Sequence, residues 1–188
     1  MDKFNQIHGI TTQLWATIVN LESQISATSD FVQAEWLNPF TTPDWMRYCP
    51  DALPKLLRKQ IEARDAALSR IESEIKKVEP VLKALTALAK DASAKVASQN
   101  PSAEEKYFNP VSITPEEALL WIESSLSGME REYLVQQELI KSFVKGTASE
   151  KVKVRWESMD HVDSRIENEM RDRVKCHQKL FTKINAMY

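Results

Sequence analysis

The feature that most constrains the fold is a seven-residue repeat of apolar side chains over residues 54–97. Spacings of three and four residues alternate there, which indicates one long helix packed against other helices. Pro80 falls on the side opposite the repeat, so we expect a kink at Pro80 rather than a break. At 1.5 Å per residue this helix would be about 65 Å long, so we expect an elongated molecule. The repeat consists of Leu57, Ile61, Arg64, Leu68, Ile71, Ile75, Val78, Leu82, Leu85, Ala89, Ala92 and Val96.

A second repeat of the same kind predicts a helix over residues 3–34. The charged residues of this stretch are only Lys3, Glu22 and Asp30, and a helix so poor in charge is usually covered on more than one side. We expect the other helices of the chain to bury the repeat itself. It consists of Phe4, Ile7, Thr11, Leu14, Ile18, Leu21, Ile25, Thr28 and Val32.

Two further helices are predicted over residues 115–145 and 149–187. Residues 114–117, Thr-Pro-Glu-Glu, have the sequence of a capping box with proline in the first turn. Gly146 is the expected C-terminal stop of the first of these helices. The second has a less regular apolar stripe, with charged residues in it.

Two stretches join the predicted helices. Residues 36–53 are rich in proline and aromatic residues and predict a connector with a short helix over 43–48. Residues 98–113 predict a polar linker. Residues 1–188 are therefore expected to form a single all-α domain, an elongated up-and-down bundle of four long helices with a short connector helix.

Composition supports this fold class and excludes several functions. The chain has three glycines in 188 residues, where average usage would give about thirteen, and this disfavours sheets and phosphate-binding loops. A net charge of -2 argues against nucleic-acid binding through phosphates. The sequence has no run of 18 apolar residues, so no membrane-spanning helix is predicted. Two cysteines favour a reducing compartment, and the first residues predict no signal peptide.

No catalytic, cofactor or metal site is predicted. The glycines stand alone, so no phosphate-binding loop is present, and nucleophile-elbow and kinase motifs are missing. A zinc site needs about four ligands, and the candidates are scattered; the adjacent Cys176 and His177 would point about 100° apart on a helix. We therefore predict that the chain is not an enzyme and that its functional sites are surfaces. The scattered candidates are Cys49, His161, Cys176 and His177.

Two segments resemble a small eukaryotic family. Residues 49–65, CPDALPKLLRKQIEARD, resemble its Pro-Asp-Leu…Leu-x-x-Lys-Gln start of a long helix. Residues 112–143 resemble its second signature, a Ser-Pro helix start followed by Leu-x-Trp, a Tyr twelve residues later and an apolar pair. The family is that of the AAA-ATPase-interacting ribosome maturation factor (AIRIM). The residues that carry the resemblance include Ser112, Pro115, Trp121, Tyr133, Leu139, Ile140, Lys153, Trp156 and Met159.

The resemblance implies a non-catalytic adaptor subunit. Members of this family pair with a second helical protein, the cyclin-dependent-kinase-interacting protein CINP, and sit on a AAA+ ATPase of the SPATA type. That assembly removes a placeholder protein from the maturing large ribosomal subunit, so contact with the pre-ribosomal large subunit would be indirect. Location in the cytoplasm and nucleus is implied in the same way.

We place the partner interface on large apolar residues that lie off the repeats, because exposed apolar surface usually marks a binding site. The alternative is ordinary packing, with the aromatic connector folded back over the first helix. Tyr133 continues the apolar stripe of its helix and is assigned to the core, whereas Trp121, 120° away, is assigned to a flank. The predicted interface residues are Ile10, Trp15, Phe31, Trp36, Phe40, Trp45 and Trp121.

A structural coiled-coil subunit, such as a kinetochore, tethering or cytoskeletal rod, is the alternative function, because seven-residue repeats fit it equally well. A rod would continue its repeats without the proline-rich, aromatic connector. That connector and the signature of residues 112–143 favour the adaptor.

Overall fold

The structure is a computed structural model that describes residues 2–37, 51–98 and 113–185. These residues form helices and their connections, with no strand among them, so the predicted all-α class is confirmed. The predicted connector helix over 43–48 and most of the predicted linker lie outside the described residues. The helices are α1 (Asp2–Leu37), α2 (Ala52–Lys76), α3 (Val78–Ser98), α4 (Pro115–Val144), α5 (Ser149–Ser158) and α6 (Ser164–Asn185).

The chain divides into two compact units. The first unit comprises Asp2–Lys77 and Gln136–Ser158, and the second comprises Val78–Val135 and Met159–Tyr188. The first unit therefore holds α1, α2, the end of α4 and α5. The second holds α3, the greater part of α4, and α6. Each unit combines segments that are distant in sequence.

In the first unit, α1 packs against α2 and α5. Its buried positions are spaced differently from the prediction: after Thr11 the next buried residue is Trp15, and Leu14 is only half-buried. Phe4, Thr11 and Ile18 keep the predicted seven-residue spacing. The departure in this part of α1 is Trp15, which takes the buried position expected for Leu14. The buried residues in the N-terminal half of α1 are Phe4, Ile7, Thr11, Trp15 and Ile18.

The helix predicted over residues 54–97 is interrupted, and the predicted simple kink is wrong. Helix α2 ends at Lys76, Lys77 forms a turn, and α3 begins at Val78. The backbone N–H of Lys77 donates to the carbonyl of Glu74, three residues back (3.0 Å). Pro80 explains the position of the interruption, because it has no N–H to donate to the Lys76 carbonyl and its ring crowds that group.

The helix predicted over residues 149–187 is also two helices, α5 and α6. Met159 has a left-handed backbone (φ 42°), which ends α5. Asp163 then caps α6, since its carboxylate accepts the backbone N–H of Arg165 (2.9 Å). The side-chain hydrogen bonds from Arg165 hold the pKa of Asp163 below its ordinary value. The Asp-Ser pair at the start of α6 was the sequence signal for this second helix.

The predicted ends of α4 are confirmed in position. Thr114 accepts the backbone N–H of Glu117 (3.1 Å), which is half of a capping box. The other half is replaced, because the Glu117 carboxylate accepts two hydrogen bonds from Arg173 of α6 (both 2.9 Å). At the other end Gly146 has φ 99° and forms a Schellman motif, in which the N–H of Thr147 donates to the Ser142 carbonyl (3.0 Å).

The core of the second unit contains Tyr133, whose predicted burial is confirmed. Its hydroxyl donates to the Glu79 carboxylate of α3 (2.8 Å). Gly128 allows a close approach in this unit: a Cβ at this position would lie 2.5 Å from the carbonyl oxygen of His161, in the turn before α6. That neighbour is backbone, so it cannot rotate away.

Gly128→Ala is therefore expected to lower the free energy of unfolding by about 1–2 kcal/mol, because the backbone clash outweighs the helix propensity that alanine gains. The matched control is Gly9→Ala on α1, where no atom lies within 4 Å of the added Cβ; it should raise stability by about 0.5–1 kcal/mol. Urea denaturation of both variants measures the difference. Equal stabilisation by both alanines would contradict the close approach at Gly128.

Candidate functional site

The seven predicted interface residues fall into four groups. Trp15 is fully buried in the first unit, Phe31 is 59% exposed, and Ile10 and Trp121 are half-buried. The side chain of Trp36, at the end of α1, and all of Phe40 and Trp45 lie outside the described residues. The prediction that Trp15 lies outside the core is therefore wrong.

Trp15 is buried because the end of α4 and α5 supply an aromatic pocket for it. Its ring packs edge-on against Phe143 at 5.2 Å and against Trp156 at 5.5 Å between ring centroids. Aromatic pairs at these distances add to the free energy gained from burial. The covering residues that the structure describes come from the C-terminal half of the chain, which is why the spacing within α1 did not reveal them.

A chain of hydrogen bonds fixes α5 on α1 beside this pocket. The buried indole N–H of Trp156 donates to the Thr11 hydroxyl oxygen (3.1 Å). That hydroxyl lies within reach of two carbonyls of its own helix, those of Ile7 (3.1 Å) and His8 (2.9 Å). A polar residue in the predicted apolar repeat of α1 thus satisfies the single polar atom of a large buried ring.

The other half of the α1–α2 pair is less well covered. Among the described side chains of α1 after Ile18, only Thr28 is buried, and among those of α2 before Ala67 none is buried. We call this surface the distal face. It contradicts the expectation that the other helices bury the whole repeat of α1. The distal face is defined by the half-buried Leu21, Ile25, Val32, Leu57 and Ile61.

Each helix of the distal face also has one large apolar residue that is exposed and is next in sequence to a residue of the face. They are Phe31 (59% exposed) and Leu56 (46% exposed). Phe31 was predicted from its position off the repeat. Leu56 also lies off the repeat, which contains its neighbour Leu57, but it was not among the predicted interface residues.

Charge differs between the two helices of the distal face. Residues 19–33 of α1 carry only Glu22 and Asp30. Residues 52–64 of α2 carry four basic side chains and one acidic side chain, but three of the basic ones have acidic partners: Lys55 with Asp51, Arg58 with Glu62 and Arg64 with Asp65. The α2 border of the face is therefore charged but largely neutralised, and the α1 border is nearly uncharged. The charged residues of this part of α2 are Lys55, Arg58, Lys59, Glu62 and Arg64.

The second unit has an open pocket of about 440 Å³ between α4 and the turn before α6. Gly128 and Val162 line its floor, and its polar residues, such as Arg131, His161 and Asp163, are exposed. Asp163 is occupied with Arg165 at the start of α6. Exposed side chains of both signs around an open depression do not define a ligand.

Within the described ranges, no three His, Cys, Asp or Glu side chains are grouped so that they could hold a metal ion. None of the helices described combines the length and the apolarity needed to cross a membrane. No family model, no curated protein and no solved structure matches this chain.

The two α1 residues Trp15 and Phe31 should respond oppositely to truncation. Trp15→Ala is expected to lower the free energy of unfolding by about 3–5 kcal/mol, because it empties a buried aromatic pocket. Phe31→Ala, on an exposed side chain, should change it by no more than about 0.5 kcal/mol. Urea denaturation followed by circular dichroism checks both values, and a strongly destabilising Phe31→Ala would show that Phe31 belongs to the core.

Proposed function

We propose that this chain is a non-catalytic adaptor subunit of a AAA+ ATPase assembly that acts in cytoplasmic maturation of the large ribosomal subunit. The signatures in residues 49–65 and 112–143 support the proposal. The observation that carries it is the distal face, which includes the half-buried Ile25 and Ile61 on two paired helices, together with the exposed Phe31 next to Val32 on α1. Apolar surface of this kind on a water-soluble helix pair usually marks a contact with another protein.

The proposed partner at the distal face is a helical protein similar to CINP. Two packed helices leave a groove whose ridges repeat every three to four residues, and a third helix fits such a groove. The charges on the α2 border are largely paired with one another and the α1 border is nearly uncharged, so the property expected of the partner helix is an apolar stripe.

The SPATA-type ATPase is proposed to bind the pair formed by this chain and its helical partner. An adaptor of this kind contributes position rather than chemistry, so the proposal includes no cofactor and no catalytic residue. Contact with the pre-ribosomal large subunit would be made through the ATPase. Location in the cytoplasm and nucleus belongs to the same proposal.

Pairing with the helical partner is expected to depend on Phe31. The test is co-expression of the chain with a CINP-like protein, followed by affinity purification and size-exclusion chromatography. Phe31→Glu should reduce the recovered partner at least tenfold with little change in thermal stability, because it places a charge in an apolar contact. The matched control is Leu120→Glu, an equally exposed apolar residue of α4 in the second unit (63% exposed).

The control should pair at the wild-type yield. Loss of pairing with Leu120→Glu and retention with Phe31→Glu would contradict the distal face and place the contact on α4. Variants at Trp15 are unsuitable for this test, because a charge at Trp15 is expected to unfold the first unit.

The function itself is tested with purified ATPase and immature large ribosomal subunits. We expect release of the placeholder protein to require this chain together with its helical partner, and to fall to the background rate with Phe31→Glu. Full release without the chain would refute the adaptor function. A stable complex with a helical partner but none with the ATPase would favour the alternative, a structural coiled-coil subunit.

A further inference from the structure

His8 occupies a position in the first unit that the proposed function does not use. Its ring is half-buried on α1 and faces Gln136, a residue of α4 that is 1% exposed. The side-chain amide nitrogen of Gln136 lies 3.5 Å from His8 Nδ1, and it can donate to Nδ1 in the neutral tautomer whose Nδ1 is unprotonated. The other ring nitrogen, Nε2, then carries the proton and donates to the Thr12 hydroxyl (3.4 Å). The neutral ring satisfies both neighbours.

A proton added at Nδ1 would conflict with this arrangement. The Nδ1–H and the Gln136 amide N–H groups would both be donors facing each other. Gln136 is enclosed, so water has little room to separate them, and its amide would have to turn over. Two donors facing each other would weaken the contact between the N-terminal half of α1 and the end of α4.

The charges around His8 are few. Burial lowers the pKa of His8, and the carboxylate of Glu157 on α5 opposes that effect in part. The facing residue of α4 is the uncharged Gln136, and among the described residues of α2 no charge contributes to the pKa of His8. The ring is thus surrounded mainly by neutral groups, which favour the neutral ring.

We propose that the protonation state of His8 controls this contact: the neutral ring stabilises the packing of the N-terminal half of α1 on the end of α4, and protonation of the ring weakens it. The inference does not depend on the adaptor function. Protonation of His8 would lower the stability of the first unit, which includes the distal face, at mildly acidic pH.

The direction of the pH effect follows from burial. A histidine whose pKa is lower in the folded state than in the unfolded state contributes stability that is complete above the unfolded pKa, about 6.5. That stability is lost as the pH falls from there through the folded pKa, because the unfolded chain binds the proton more readily. Stability should therefore fall on acidification and should not fall on alkalinisation up to pH 8.

The first experiment measures the ring directly in the folded full-length chain. The chain has three histidines, so NMR can follow all three ring signals from pH 8 to pH 5, with His8→Gln assigning the signal of His8. We expect His8 to titrate below 6.5, the ordinary value for a histidine. The Trp156 indole N–H signal, one hydrogen bond from the Thr11 hydroxyl, should shift at the same pH as His8. A pKa of His8 at or above 6.5 overturns the proposal.

The second experiment compares urea denaturation midpoints at pH 7.5 and pH 5.5. The midpoint should fall at pH 5.5 in the wild-type chain and in the control His161→Gln. In His8→Gln, whose amide can still bond Gln136 but cannot titrate, most of that fall should disappear. An equal fall in His8→Gln overturns the proposal, and if that variant does not fold, the NMR titration of the wild-type chain decides alone.

Discussion

Burial of Trp15 between Phe143 and Trp156 is the contact on which the first unit depends. It joins the start of the chain to a segment more than a hundred residues later, and it fixes which side of α1 faces inward. The hydrogen bond from Trp156 to Thr11 adds direction to this contact, because it is satisfied in only one register of α5 on α1. The distal face follows from the same contact, since α5 is short and covers only one half of α1.

The all-α class, the starts of α1, α2 and α4 and the stop at Gly146 could be predicted from the sequence, because each depends on local chemistry. Apolar spacing gives the helices, and capping residues and glycine give their ends. The role of Trp15 could not be predicted in this way. Leu14 and Trp15 are neighbours on α1 with similar apolarity, and the partner that selects Trp15 is supplied by α5. The expected seven-residue repeat placed Leu14 in the core, and the structure places Trp15 there instead.

The interruptions at Lys77 and Met159 show a second limit of sequence patterns. The apolar repeat continues across Pro80, so periodicity alone favours one helix, and the geometry of proline decides otherwise. At Met159 the pattern also continues, and the cap at Asp163 shows the start of a new helix. The candidate site was predicted in part: Phe31 is exposed as expected, but the extent of the distal face depends on where α4 and α5 end.

The separation of Thr11 and Trp156 by 145 residues also has a consequence during synthesis. At translation rates of 5–20 residues per second, roughly 7–29 s pass between the appearance of the two residues. During that interval the apolar stripe of α1 has left the ribosome and its final cover has not yet been made. This interval is therefore the stage of synthesis at which aggregation competes most strongly with folding of the first unit.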